Sequence, residues 1–115
     1  MSTESNKQLV RDFFERAVNG NDPALGESLF HAEYVDHHPI PGQPSGAAAG
    51  RFIVEHIANI SNGRPHTVVE HVLAEGDMVA VRWTASRLEV LLHVRVRDGK
   101  IAERWASFNR PASGS

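Results

Sequence analysis

The residues best suited to chemistry lie in one short stretch, residues 33–46, which reads EYVDHHPIPGQPSG. Asp36, His37 and His38 are adjacent there, where an extended run meets a loop rich in proline and glycine. An imidazole titrates near neutral pH and a neighbouring carboxylate adjusts its pKa, so the triplet could supply a general base or orient a bound carbonyl group. The simpler interpretation is a polar strand end at which Asp36 caps the loop.

The remaining sequence restricts the kinds of chemistry. It contains no cysteine, which excludes disulfides, thiol nucleophiles and thiolate metal sites. A metal site built from the triplet is not expected, because adjacent side chains on a strand point to opposite faces and no second cluster has ligand spacing. We therefore expect no metal site.

Three polar side chains elsewhere could reach the same site. Arg82 could hold an anionic ligand or pair with Asp36 if its strand points it inward, and otherwise it is an exposed strand arginine. Tyr34 could donate its hydroxyl to an oxyanion, although a core aromatic with a wet tip is the simpler interpretation. His56 shares an apolar helical stripe with Phe52, so it either lines a pocket or is a hydrogen-bonded core histidine.

Composition limits the partners. The chain has 115 residues, of which 41% are hydrophobic and 23% charged, enough for one core. We expect a single domain over residues 1–110 and a disordered tail over residues 111–115. The balance of 12 Lys and Arg against 14 Asp and Glu gives no basic field for nucleic acid or an anionic membrane. No apolar run could span a membrane and no leader is recognisable, so we expect a cytoplasmic protein.

Helical periodicity is confined to the first half of the chain. Apolar residues recur at helical spacing over residues 5–18, with a capping-box pattern that begins at Ser5. Asp22, followed by proline, predicts the start of a short second helix. Ser45 is expected to cap a third helix that carries Phe52 and His56.

The second half alternates with the period of β-strands. Turn residues at 75–77 and at 98–99 predict two hairpins. A single strand over residues 78–97 would be about 65 Å long at about 3.3 Å per residue, too long for this domain, so the chain must turn near residues 85–89. Either a loop is short there or a segment is missing from the sequence between about Ser86 and Glu89. Helices followed by strands predict an α+β domain with helices packed on one face of an antiparallel sheet.

Alternation divides the strand over residues 90–97 into two faces. Its even positions are apolar and should line a core or cavity, while His93 and Arg95 point the other way. The register of the last strand stays open. A two-residue turn at Asp98 and Gly99 would place Glu103 and Trp105 on the apolar side, whereas a one-residue bulge at Gly99 would place three others there: Ala102, Arg104 and Ala106.

The segments LVRDFFE, EGDMVAVRW and RDGKIAERW, in this order and spacing, resemble the SnoaL-like polyketide cyclase family of the nuclear transport factor two-like superfamily. The resemblance covers nearly the whole chain. It implies a cone-shaped fold in which a curved sheet wraps the helices around an apolar pocket, commonly in a dimer or larger assembly. It also implies that Asp36, His37 and His38 lie near the pocket, and it favours the bulged register of the last strand.

The family's cyclases close an aldol ring without a cofactor, using a carboxylate and a nearby histidine. Counted from the shared DGKI motif, the family histidine falls on Leu92 and the family aspartate on Ala106. Neither side chain can move a proton. This departure supports a non-catalytic alternative, a ligand-binding or assembly module that has kept the fold and lost the acid/base pair.

The resemblance, taken with these residues, implies a homodimeric cone that binds an apolar, carbonyl-bearing small molecule. Turnover would be cofactor-free cyclase or isomerase chemistry, with Asp36 or His38 as base and Arg82 or Tyr34 as oxyanion partner. Hydrolysis of an epoxide would instead require Asp36, Arg82 and Glu103 to converge. The side chains expected to contact the ligand are Tyr34, His37, Phe52, His56, Leu92, Arg104 and Trp105.

Overall fold

The computed structural model describes residues 2–85 and 88–109, and the expected tail at residues 111–115 lies outside them. The predicted α+β fold is confirmed, with helices followed by a curved five-stranded sheet. No helix in the described ranges is long and apolar enough to cross a membrane. The elements in chain order are α1 (Thr3–Arg11), which continues as a π-helix (Asp12–Val18), α2 (Pro23–Ser28), β1 (Phe30–Asp36), α3 (Ala48–Ile60), β2 (Val68–Glu75), β3 (Met78–Ala85), β4 (Leu88–Arg97) and β5 (Lys100–Asn109).

The first helix begins earlier than the sequence pattern indicates. Ser2 is its N-cap, and the Ser5 backbone N–H donates to the Ser2 hydroxyl at 3.0 Å. The predicted start at Ser5 was wrong because Ser5 is the far half of this capping box: its own hydroxyl accepts from the Ser2 N–H at 3.0 Å. The inward face of the helix and its π-helical continuation is fully buried and consists of Val10, Phe13, Phe14, Ala17 and Val18.

The other two helix starts gave opposite outcomes. Asp22 caps α2 as predicted, accepting from the Leu25 N–H at 3.1 Å. The cap predicted at Ser45 was wrong, because Gly46 adopts a φ of 72° and turns the chain before the helix begins. Ala47 is the N-cap of α3, and its side chain makes no capping hydrogen bond.

Two glycines let α2 and α3 pack closely. A Cβ placed on Gly26 would lie 2.7 Å from Cγ2 of Val54, and one on Gly50 would collide with the Gly26 carbonyl oxygen and lie 2.8 Å from Cδ1 of Phe30. Both positions therefore require the absence of a side chain. The close approach presses α3 against Phe30 at the start of β1.

The sheet has the order β1-β5-β4-β3-β2. The two predicted hairpins are confirmed. Ala85 pairs with Leu88, so residues 78–97 form two paired strands and not one strand of about 65 Å. Whether that turn is a shortened loop or a missing segment depends on residues 86 and 87, which lie outside the described residues. The sequence did not predict that β1 joins the sheet as an edge strand parallel to β5.

The register of β5 combines the two alternatives. Asp98 and Gly99 form a two-residue turn with φ values of 54° and 72°, and Arg97 pairs with Lys100. The bulge lies further along, because Ile101 pairs with Val96 while Glu103 pairs with Arg95, leaving Ala102 unpaired. The extra residue reverses the alternation. The inner face of the sheet, which contacts the helices, receives Arg104 and Ala106, and the outer face receives Glu103 and Trp105.

Candidate functional site

An apolar cavity of about 180 Å³ lies between the helices and the inner face of the sheet. We refer to it as the inner cavity. Two of its lining residues, Ile60 and Phe108, are large apolar side chains that are more than half exposed, so they mark its mouth. The buried wall is mainly aliphatic and aromatic and includes Val10, Phe13, Phe14, Phe30, Ile53, Ile57, Leu92, Val94 and Ile101.

Three polar side chains interrupt this wall: His56 from α3, Trp83 from β3 and Arg104 from β5. Trp83 Nε1 and Arg104 Nε are both buried, and neither has a hydrogen-bond partner among the described residues. Both groups are N–H donors. Because buried donors are normally satisfied, these two nitrogens are exceptions within the described part of the chain.

Arg104 is held in place by a buried ion pair with Asp36. One of its terminal nitrogens, Nη2, lies 2.9 Å from Asp36 Oδ2, and the two side chains are only 10% and 4% exposed. The same nitrogen donates to the His38 carbonyl oxygen at 3.1 Å. The guanidinium is therefore fixed to the segment before the proline-rich loop, and Arg104 forms part of the cavity wall.

The Asp36 carboxylate is fully engaged. It accepts from the Tyr34 hydroxyl at 2.7 Å, from the Gln43 amide at 2.9 Å and from the His38 backbone N–H at 2.9 Å. Burial alone would raise the pKa of Asp36, but the Arg104 charge and these hydrogen bonds lower it below its ordinary value. Asp36 is thus a stable anion whose lone pairs are already used.

The Tyr34 hydroxyl is fixed as a donor. Burial raises the pKa of Tyr34 well above its ordinary value, and the Asp36 charge adds to this increase while Arg104 opposes it. Because the hydroxyl proton is directed at Asp36, Tyr34 supports the ion pair.

His38 links the loop to β5. Its Nδ1 accepts from the Ala106 backbone N–H at 3.1 Å, which requires Nδ1 to be unprotonated. The side chain is otherwise exposed and does not line the inner cavity. Its contacts are those of the polar strand end that the sequence offered as the simpler interpretation.

Three of the predicted site residues lie on the outer face instead. His37 stacks on Trp105 with ring centroids 4.7 Å apart, and its Nε2 lies 2.6 Å from Glu103 Oε2. This hydrogen bond is the main reason that the pKa of Glu103 falls below its ordinary value. Arg82 donates through Nε to Glu89 at 2.9 Å. The sequence offered Arg82 as a partner for Asp36, but the structure pairs Asp36 with Arg104.

The structure brings together only part of the predicted set. His56, Leu92 and Arg104 line the inner cavity, and Leu92 pairs directly with Ala106, the other position at which the resemblance expects a catalytic group. Phe52 does not line it and faces the His56 ring with centroids 6.3 Å apart. The convergence required for epoxide hydrolysis does not occur, because Asp36 is interior whereas Arg82 and Glu103 are on the outer face.

Trp83 is the cavity residue that sequence reasoning missed. Its ring packs on Phe14 with centroids 5.1 Å apart. The available signal was its alternation with Val79 and Val81, which places the Trp83 side chain on the inner face. Within the described residues, no three His, Asp or Glu side chains are grouped as a metal site requires.

The fold is that of solved structures described as nuclear transport factor two-like and cystatin-like. The sequence pattern of the SnoaL-like domain matches residues 10–104. The chain therefore belongs to the SnoaL-like domain family. No curated protein matches the sequence.

Three similar solved structures illustrate the relationship. A proposed polyketide cyclase from Bacillus cereus is 20% identical over 95% of this chain and 79% of its own, with a TM-score of 0.78. IdmH, a proposed polyketide cyclase from Streptomyces antibioticus, is 20% identical over 90% and 91%, with a TM-score of 0.71. A proposed ketosteroid isomerase from Kribbella flavida is 19% identical over 95% and 81%, with a TM-score of 0.70. At these identities the likeness shows the fold alone.

Proposed function

We propose that the inner cavity binds an apolar small molecule that carries a carbonyl group. The observation that carries this proposal is an apolar cavity of about 180 Å³ whose wall is interrupted by three polar side chains, His56, Trp83 and Arg104. Apolar ligands are usually bound in such concave sites, with a few polar groups fixing their orientation. Membership of a small-molecule-binding family gives independent support.

The volume of the cavity limits the size of the enclosed group. An engineered apolar cavity of about 150 Å³ holds one benzene molecule. The inner cavity, at about 180 Å³, accommodates one ring with short substituents. A larger ligand would extend past Ile60 and Phe108 at the mouth.

Adjacent leucines on β4 provide a matched test. Leu92 lines the inner cavity, whereas Leu91 points away on the outer face. We expect Leu92→Trp to fill the cavity and abolish binding of acetophenone in calorimetry, and Leu91→Trp to leave binding unchanged. Native mass spectrometry of protein exposed to cell extract would then identify the natural ligand. Equal acetophenone binding by both variants would exclude the inner cavity as the site.

A second candidate function is cofactor-free acid/base turnover of the same ligand. The observation that favours it is the half-buried imidazole of His56 at the cavity wall, and the neighbours described as cyclases and an isomerase add support. His56 would remove an α-proton while the positive charge of Arg104 stabilises the enolate oxygen. Asp36 and His38, the bases expected from the sequence, are occupied by Arg104 and the Ala106 N–H.

Hydrogen exchange separates binding from turnover. A base in the cavity should exchange the methyl protons of acetophenone for deuterium, and NMR follows the loss of their signal. We expect His56→Gln to abolish exchange while leaving binding intact, and Leu91→Trp to serve as the control. Exchange no faster than in buffer, from a wild type that binds acetophenone, would leave the non-catalytic function.

We also propose that the chain forms a homodimer through the outer face. Leu73 is 70% exposed and Leu91 54% exposed there. Neighbouring charges are already paired within the chain, Arg82 with Glu89, and Arg95 with Asp77 and Glu103. A second copy of the same face would therefore meet no unpaired charge from these residues.

A cytoplasmic location is likewise our proposal, supported by the cysteine-free sequence.

A further inference from the structure

We propose that residues 39–44 form a movable wall of the inner cavity, which opens as a unit to admit the ligand. We refer to this segment, which reads PIPGQP and lies between β1 and α3, as the strap. Passage of a ligand rests on the proposed binding function, whereas the opening of the strap rests on its own contacts in the fold.

The strap crosses the gap between β5 and α3. Just before it, His38 Nδ1 accepts from the Ala106 N–H of β5 at 3.1 Å. In its middle the chain approaches α3, since a Cβ placed on Gly42 would lie 3.8 Å from Cζ of Phe52. Between these two contacts, the half-buried Ile40 lines the inner cavity. The strap is therefore part of the cavity wall.

The strap lies beside the mouth of the inner cavity. Phe108 is two residues beyond Ala106 on β5, or about 7 Å along the strand. Ile60 is two helical turns beyond Phe52 on α3, or about 12 Å. Because Ile60 and Phe108 mark the mouth, an open strap extends the mouth along the gap between β5 and α3. Opening of the strap therefore widens the entrance.

The backbone of the strap is attached to the fold only beyond its ends. Within the described residues, its one backbone–backbone hydrogen bond is internal, from the Gln43 N–H to a carbonyl of the strap itself at 2.9 Å. Before the strap, the His37 N–H donates to the Arg104 carbonyl at 3.0 Å. After it, the Gly46 N–H donates to the Tyr34 carbonyl at 3.3 Å. A segment with so few backbone bonds opens at a lower free energy than a sheet does.

Two polar residues fasten the strap in its closed position. The Gln43 amide donates to Asp36 Oδ2 at 2.9 Å. The His38 ring accepts from the Ala106 N–H, and the His38 carbonyl accepts from Arg104 Nη2 at 3.1 Å. Half of the strap's residues are prolines, whose rings restrict φ, so it moves as one body when these fastenings release. Opening then carries the apolar side chain of the strap out of the cavity wall.

Hydrogen exchange of the Ala106 amide reports the opening, because this N–H is released when the His38 ring leaves. We expect it to exchange at least about tenfold faster than the amides that join β3 to β4. Gln43→Ala removes the other fastening and should speed Ala106 exchange about fivefold, the effect of one net hydrogen bond. Gln8→Ala is the matched control, because the Gln8 amide donates to Asp12 at the same 2.9 Å on the first helix.

Ligand exchange tests whether the strap controls entry. His38→Leu removes the acceptor for the Ala106 N–H, whereas His38→Asn keeps one, because the asparagine oxygen and Nδ1 are both two bonds from Cβ. We expect His38→Leu to raise the association and dissociation rates of acetophenone about fivefold each, with its dissociation constant unchanged. His38→Asn should keep both rates near those of the wild type. NMR exchange measurements on the whole chain give the rates.

The possible failures are distinguishable. If the wild-type Ala106 amide exchanges as slowly as the amides between β3 and β4, or if Gln43→Ala has no more effect than Gln8→Ala, the strap does not open as a unit. If acetophenone binds at rates that His38→Leu leaves unchanged, the strap does not control entry. If acetophenone does not bind to the wild type, the proposed binding function is wrong, and Ala106 exchange still decides whether the strap opens.

Discussion

Arg104 Nη2 lies 2.9 Å from Asp36 Oδ2, joining the C-terminal end of β1 to β5 through two side chains that are almost inaccessible to water. The pair lies immediately behind the inner cavity and holds the only guanidinium in its described lining. Its partners Tyr34, Gln43 and His38 extend the network into the loop that precedes α3. Asp36 and His38, two members of the triplet noted in the sequence, thus fix Arg104, which in turn lines the cavity.

Removing one member of this pair should destabilise the fold strongly. We expect Asp36→Ala to lower the free energy of unfolding by about 3–5 kcal/mol, because Arg104 is left buried without a counter-charge. The double variant Asp36→Ala/Arg104→Met should recover part of this loss. Urea unfolding gives the values, and Glu27→Ala, which breaks the exposed pair with Arg51, should cost under about 1 kcal/mol. If Asp36→Ala lowered the free energy of unfolding no more than Glu27→Ala, the idea of a buried, coupled pair would be contradicted.

The Asp36 carboxylate should also make the free energy of unfolding depend on pH. The pKa of Asp36 is lower in the folded protein than its ordinary value, against the effect of burial and because of Arg104 and the hydrogen bonds. Such a group stabilises the fold fully above its unfolded pKa, about 4, and this stabilisation is lost as the pH falls toward the folded pKa. The difference in unfolding free energy between wild type and Asp36→Ala should therefore shrink below about pH 4. A difference that stays constant in urea titrations down to about pH 3 would rule out this role.

Gly50→Ala tests the close packing of α2 on α3. In an unobstructed helix interior this change would stabilise the protein by about 0.5–1 kcal/mol. Here the new Cβ would meet the Gly26 carbonyl and the Phe30 ring, so we expect a loss of about 1–3 kcal/mol instead. Thermal unfolding measures the sign directly. Increased stability would show that the helices separate easily.

The outer face should control self-association. We expect Leu91→Glu to give a monomer at protein concentrations where the wild type sediments as a dimer, because a charge would be buried against the second copy. Ile60→Glu is the matched control, since Ile60 is comparably exposed but lies at the cavity mouth. A wild type that sediments as a monomer, or a dimer indifferent to Leu91→Glu, would exclude this interface.

Local patterns predicted most of the fold. The helical stripes and the turn residues at 75–77 and 98–99 correctly placed three helical regions and both hairpins, because these depend on neighbours in the chain. The pairing of β1 with β5 joins residues far apart in sequence, and nothing in either segment specifies it. Ser45 failed as a cap because the backbone turn at Gly46 is not visible from residue preference alone.

The candidate site was harder to predict for a specific reason. Asp36 had two possible arginine partners, and the choice between Arg82 and Arg104 depended on which face of the sheet each one occupies. The sequence left the orientation of Arg82 open, because alternation with Trp83 places Arg82 outside only when the inner face of β3 is known. The position of Arg104 depended on a bulge at Ala102, a residue that carries no turn preference.

The unpaired position in β5 also determines how this domain tolerates changes in chain length. Loss of Ala102 would leave Ile101 opposite Val96 and Glu103 opposite Arg95, so every later side chain of the strand would keep its side of the sheet. If the full-length strand instead paired without the bulge, Glu103 and Trp105 would point toward the helices and Arg104 would point to solvent. The domain can therefore lose a residue at this place without exchanging the charge of its interior.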